Sequence, residues 1–141
     1  MTLPVTSPEL ESLVPHRPPM RWIDVLVECT ETEAKGRVTF WKDHFAVVNG
    51  KVEQSALVEC VAQTVAAALG YRSRMKASAT KSSNGMLAAV SNFAIEKPAP
   101  LDVPVEINVK EVKRLGPMLL ISATLVCDGD LLAAGELSLY A

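Results

Sequence analysis

The sequence predicts an α+β domain in which one long helix is wrapped by a curved antiparallel sheet of about six strands. Three observations predict it. Only Glu53 to about Arg72 is long enough and rich enough in Ala and Leu for a substantial helix. That stretch is apolar on nearly every face, as a buried helix is. Strand-like runs bounded by turn residues fill most of the rest. Gly116-Pro117 and Asp128-Gly129 separate the last three runs so tightly that they form an antiparallel meander.

The elements follow in order. Ser7 caps a short helix, with Pro8 at its first position and Glu9 and Glu11 near its positive end. Pro15 ends it, and Pro15-His16-Arg17-Pro18-Pro19 is extended or turned, with His16 in a structural role. Met20 to Val27 and Gly36 to Trp41 are strands around a polar turn at Glu31-Thr32-Glu33. Lys42 to Lys51 is a loop containing His44 and Asn49-Gly50. After the helix, Ser73 to Asn84 is polar and basic. Four strands then occupy Met86–Ile95, Val103–Leu115, Met118–Asp128 and Leu131–Tyr140. The sheet of one subunit ends in an unfinished edge, which predicts a homodimer or higher homo-oligomer that continues it.

The 141 residues make one domain, 1–141, with no internal repeat. Hydrophobic residues at 49% and charged residues at 21% exclude a disordered chain. A net charge of −2 and 5% aromatics argue against a nucleic-acid partner. Cys29, Cys60 and Cys127 are scattered and odd in number, which points to reduced thiols and a cytoplasmic location. Prolines at 4, 8, 15, 18 and 19 rule out a signal core, and Glu59, Gln63 and Thr64 interrupt the longest apolar stretch, so no membrane association is expected.

Glu59 is the most informative residue, because Ala56-Leu57-Val58-Glu59-Cys60-Val61-Ala62-Gln63 surrounds it with almost nothing polar. A carboxyl in such a place must pair or take up a proton, and either suits a general acid. It equally suits a structural carboxyl satisfied by a backbone donor or at a subunit contact. Gln63, one helical turn on, shares its face and can orient it. His44 lies a short loop before the helix and can serve as a base opposite it, or stand as a solvated loop histidine. No nucleophile elbow, phosphate loop or metal-spaced ligand set occurs, so neither cofactor nor metal is expected. Arg72, Arg74, Lys76 and Lys81 concentrate positive charge after the helix, either to receive an acidic partner or as a solvated loop.

Several stretches resemble the hotdog-fold 3-hydroxyacyl-(acyl carrier protein) dehydratases. Pro15-His16-Arg17-Pro18-Pro19-Met20 through Asp24 is similar to the family's N-terminal "PHR-x-P…D" stretch. Asp43-His44-Phe45 followed by Val58-Glu59-Cys60-Val61-Ala62-Gln63 resembles its "GHFP…IEAMAQ" segment. Ser91 to Asp102 resembles its "F-x-x-P-V-x-P-G-D" strand and turn. The branch associated with aryl polyene pathways is similar through "PH-x-x-PM" and "IEY-x-AQ". The resemblance covers about residues 10–140 and departs where Glu53-Gln54 replaces Pro-Gly at the helix start.

The resemblance implies a hotdog dimer with active sites between subunits. His44 would remove the proton α to the thioester, and Glu59 of the neighbouring subunit would protonate the departing 3-hydroxyl. Gln63 would hold Glu59, and backbone N–H groups of Gln54 and Ser55 would form an oxyanion hole. Arg72, Arg74, Lys76 and Lys81 would meet the carrier. The substrate would be a 3-hydroxyacyl group on acyl carrier protein, or on coenzyme A, in a fatty acid or polyene pathway. Ala56, Ala62, Ala66 and Ala67 suit a tunnel wall for its acyl chain. Two other readings use the same fold: an acyl-CoA thioesterase with Glu59 as base or nucleophile, and a non-catalytic subunit that binds acyl carriers.

Overall fold

The computed structural model describes residues 1–15, 17, 19–76 and 86–140. A 3-10 turn, Glu9–Ser12, leads into strands β1 (Val25–Cys29) and β2 (Glu33–Thr39). A two-stranded hairpin follows, β3 (Val47–Val48) and β4 (Lys51–Val52), and then the helix α1 (Gln54–Met75). Strands β5 (Met86–Ile95), β6 (Pro104–Leu115), β7 (Met118–Cys127) and β8 (Asp130–Tyr140) complete the chain. Six strands form one antiparallel sheet in the order β1-β2-β6-β7-β8-β5, with α1 packed chiefly on β1, β2 and β6. The expected architecture is the observed one.

Alternation explains the main sheet. In β7, Leu119, Ile121, Ala123, Leu125 and Cys127 are buried at every second position. Val105, Ile107 and Val109 of β6 and Ala34, Gly36 and Val38 of β2 do the same on neighbouring strands. These inward faces meet Ala56, Leu57, Cys60, Val61, Val65 and Ala68 of the helix in a single core. Gly36 is required by that packing: a Cβ there would stand 2.5 Å from Thr64 Oγ1.

The hairpin turns follow their residues. Asp128 and Gly129 both adopt positive φ, 49° and 82°, as a two-residue turn between twisted strands requires. Asn49 and Gly50 do likewise at 53° and 74°, and so fold part of the expected loop into β3–β4. Two residues per strand are too few to announce themselves in a hydrophobic pattern.

Other boundaries move for local reasons. Pro8, expected as the first helical residue, is instead the N-cap of a single 3-10 turn, and Ser7 Oγ donates to Glu11 Oε1 at 3.4 Å rather than capping. The first strand begins at Val25, because Gln63 of the helix takes the backbone groups of Met20, Trp22 and Ile23, and the ladder to β2 starts only with the Asp24 N–H on the Arg37 carbonyl at 2.8 Å. The two sheet edges differ. At β1, Val5 pairs with Leu26 through two 2.9 Å hydrogen bonds and covers part of the edge. Among the described residues, the opposite edge, β5, pairs with β8 alone and exposes Ala89, Val90, Ser91 and Asn92.

Candidate active site

Gln63 organises the site. It is fully buried, and its amide is used at both ends. Oε1 accepts the backbone N–H groups of Trp22 at 2.7 Å and Ile23 at 3.3 Å. Nε2 donates to the Met20 carbonyl at 2.8 Å and to Glu59 Oε1 at 3.2 Å. A buried amide so satisfied pins residues 20–23 to the helix and cannot rotate without setting donor against donor. Glu59 is half-buried, on a stripe of α1 shared with the half-buried Val58, Ala62 and Ala66. Ala56 and Ala67, by contrast, lie in the core.

His44 is placed by the loop before the hairpin. Its backbone N–H donates to the Trp41 carbonyl, and its carbonyl accepts from Val47. The imidazole meets Phe40 at 5.1 Å between ring centroids and Trp22 at 5.8 Å, both edge-on. Nδ1 accepts the Ala46 N–H at 3.0 Å. Ala46 also takes the Glu53 N–H on its carbonyl at 2.9 Å, so a single residue joins the imidazole to the start of α1. Burial lowers the affinity of His44 for a proton, opposed by the nearby charges of Asp24 and Asp43.

Trp22 was not singled out by the sequence. Its backbone is bound by Gln63, whose amide also binds Glu59, while its ring meets His44 and lies 6.4 Å from the ring of Phe45. Within one chain, therefore, Trp22 links the carboxyl and the imidazole. Its indole N–H donates to the Pro19 carbonyl at 2.8 Å, which fixes the ring. Asp24 braces the same corner, accepting the Thr39 N–H at 3.0 Å. Desolvation raises its carboxyl above the ordinary range, against that hydrogen bond and the charges of Arg21, His44 and Arg37.

Gln54 and Ser55 are exposed at the helix start, where first-turn N–H groups have no intrahelical acceptor. A cleft of about 750 Å³ opens there, between Val48–Val52, Gln54, Leu57 and Ile95–Ala99; neither His44 nor Glu59 lines it. Burial pushes the Cys60 thiol up, far from any thiolate nucleophile. Among the described residues, no group of His, Cys, Asp or Glu is arranged to hold a metal ion. Nor is any helix long and apolar enough to cross a membrane.

The basic residues expected to meet a carrier divide. Arg72 donates from Nε to the Thr30 carbonyl at 2.6 Å and from Nη2 to the Glu33 carbonyl at 3.2 Å, tying the β1–β2 turn to the helix end. Arg74 donates to the Ser12 carbonyl at 3.1 Å. Lys76 is exposed just beyond the helix. Lys81 and His16 lie outside the described residues.

One helix packed against a six-stranded antiparallel sheet is the architecture of a hotdog-fold protein. The chain belongs to the ApeP-like family, whose model, described as ApeP dehydratase, matches residues 8–141. Among solved structures it is similar to a chain of the dehydratase heterocomplex ApeI:P from Xenorhabdus doucetiae, with a TM-score of 0.79 and 20% identity over 99% of this chain and 91% of that one. It also resembles the E. coli PaaI protein of the phenylacetic acid degradation operon, with a TM-score of 0.66, 8% identity and coverage of 82% and 81%. A hypothetical thioesterase protein with coenzyme A from Streptococcus pneumoniae matches with a TM-score of 0.64, 10% identity and 82% of each chain. No curated protein sequence matches.

Proposed function

We propose that the chain dehydrates a 3-hydroxyacyl thioester carried on acyl carrier protein, with His44 and Glu59 as the catalytic pair and helix-start amides helping to receive the thioester oxygen. The observation that carries this reading is the Gln63 amide, which ties Glu59 to the segment whose Trp22 ring packs on His44. A carboxyl used only for stability has no need of an imidazole set beyond its own brace. The half-buried Val58, Ala62 and Ala66 beside Glu59 give the acyl chain an apolar path. Exposed Phe45 and Trp41 extend apolar surface around the imidazole. Family membership supports dehydration over thioester hydrolysis. The exposed cation Lys76, with Lys81, is assigned to the carrier, an acidic partner. A carrier-linked pathway of this kind places the protein in the cytoplasm.

The assembly follows from the β5 edge. A strand of ten residues with one neighbour pairs with another strand, and a second copy of this chain supplies it in a homodimer. The likeness to a chain from a dehydratase heterocomplex favours a second arrangement, in which a different hotdog subunit takes that edge. The test is to incubate the purified chain with 3-hydroxybutanoyl carrier protein and follow water loss and thiol release separately. Formation of the 2-enoyl thioester without free thiol supports the reading. Release of thiol makes the chain a thioesterase. Tight carrier binding with no turnover at any acyl length makes it a binding subunit.

A further inference from the structure

The two groups of the proposed catalytic pair each face a fixed hydrogen-bond donor. At His44, the neighbour is the Ala46 N–H, 3.0 Å from Nδ1. An amide N–H only donates, so the Nδ1 lone pair is occupied and the neutral ring carries its hydrogen on Nε2. A ring that accepted a proton at Nε2 would first need its hydrogen on Nδ1, pointing at the Ala46 hydrogen. At Glu59, one neighbour is the Gln63 Nε2–H, and the two N–H groups bound to Gln63 Oε1 prevent that amide from turning over. A donor held there makes a charge-assisted bond whenever the group is a carboxylate.

Resting on the dehydratase reading, we infer that Glu59 alone carries the proton through the reaction, while His44 acts as a neutral donor to the thioester carbonyl. The Glu59 carboxylate takes the hydrogen from C2, and the electron pair of that bond moves towards the carbonyl, whose oxygen gathers charge against the His44 Nε2–H. The pair then returns to form the C2=C3 bond as the C3–O bond breaks. The departing hydroxyl takes the same proton back from Glu59 and leaves as water. Glu59 ends as it began, and no other reactant is consumed.

Two further features support a neutral imidazole. Its proton affinity is lowered by burial, with the Asp24 and Asp43 charges acting in the opposite sense. The positive end of α1 also stands next to it through the shared Ala46, and disfavours an imidazolium. The edge-on Phe40 and Trp22 rings fix the ring plane, so Nε2 keeps its direction.

Two measurements on the full chain test this. In nitrogen-resolved NMR of the wild type at pH 7.5, the His44 side chain should show the hydrogen on Nε2; a hydrogen on Nδ1 overturns the inference. The second follows exchange of the C2 hydrogens of butanoyl carrier protein in heavy water, which reads proton removal without the hydroxyl, beside dehydration of the 3-hydroxy substrate. Glu59→Gln should slow both by about 1,000-fold or more. His44→Gln, which retains an N–H donor near the position of Nε2, should slow both by about 10- to 100-fold, and His44→Ala by about 1,000-fold. Thermal melts confirm that each variant is folded. Exchange surviving in Glu59→Gln but abolished in His44→Gln, or abolished equally in both, overturns the assignment while leaving the dehydratase reading intact. Failure of the wild type to dehydrate any acyl length removes that reading itself.

Discussion

Gln63 is the residue on which the site depends for its shape. Replacing it with Leu keeps the volume but strands the Trp22 and Ile23 N–H groups, the Met20 carbonyl and one hydrogen bond to Glu59. Unpaired buried polar groups cost about 1–3 kcal/mol each, so Gln63→Leu should destabilise the fold by roughly 3 kcal/mol or more in urea titrations. It should also lower kcat, because Glu59 and the Trp22 ring lose their common brace. His44 makes a pH-dependent contribution with a definite sign. Its folded proton affinity lies below its ordinary value, so the unfolded chain binds the proton more readily and stability falls as pH drops through and below about 6.5. Thermal melts from pH 7.5 to pH 5 should show a steeper loss for the wild type than for His44→Gln. At this scale much was legible: an isolated carboxyl in an apolar helix with a glutamine one turn later is a pattern along the chain. Trp22 was not, because its role rests on a backbone N–H bound by a side chain forty-one residues away. The tautomer of His44 was equally hidden, since a backbone hydrogen two residues along decides it.

Among the elements, α1 and β2 approach closely at Gly36. Gly36→Ala sets a methyl group 2.5 Å from Thr64 Oγ1, which must shift to admit it. A loss of about 1–3 kcal/mol is expected, and most of it should return in the Gly36→Ala, Thr64→Ala double variant. A double-mutant cycle in urea checks this, and simple additivity would show that the strain lies elsewhere. The long helix, the meander and the edge strand β5 were readable because composition, turn residues and alternation each span many residues. The β3–β4 hairpin escaped for want of length, although Asn49-Gly50 announced its turn. Arg72 and Arg74 looked like free cations in the sequence; their acceptors are carbonyls of distant turns, which no local pattern reveals.

For the whole molecule, the proposed assembly rests on the asymmetry of the sheet edges. The N-terminal segment covers part of β1, while β5 presents a full strand with Val90 exposed. The chain should sediment at twice its own mass, and Val90→Lys should shift it towards the monomer and reduce turnover. Sedimentation as a monomer at micromolar concentration would oppose a homodimer and favour a different hotdog partner. The fold class itself could be read from the sequence, since a lone buried helix and about six strands admit few arrangements.

On the proposed reading, a helix carboxyl braced by Gln63 dehydrates an acyl thioester beside the His44 imidazole. The most direct test is the rate of 2-enoyl thioester formation from 3-hydroxybutanoyl carrier protein by wild type and Glu59→Gln at equal folded concentration. The account predicts measurable turnover in the first and a loss of about 1,000-fold or more in the second; equal rates in the two would contradict it.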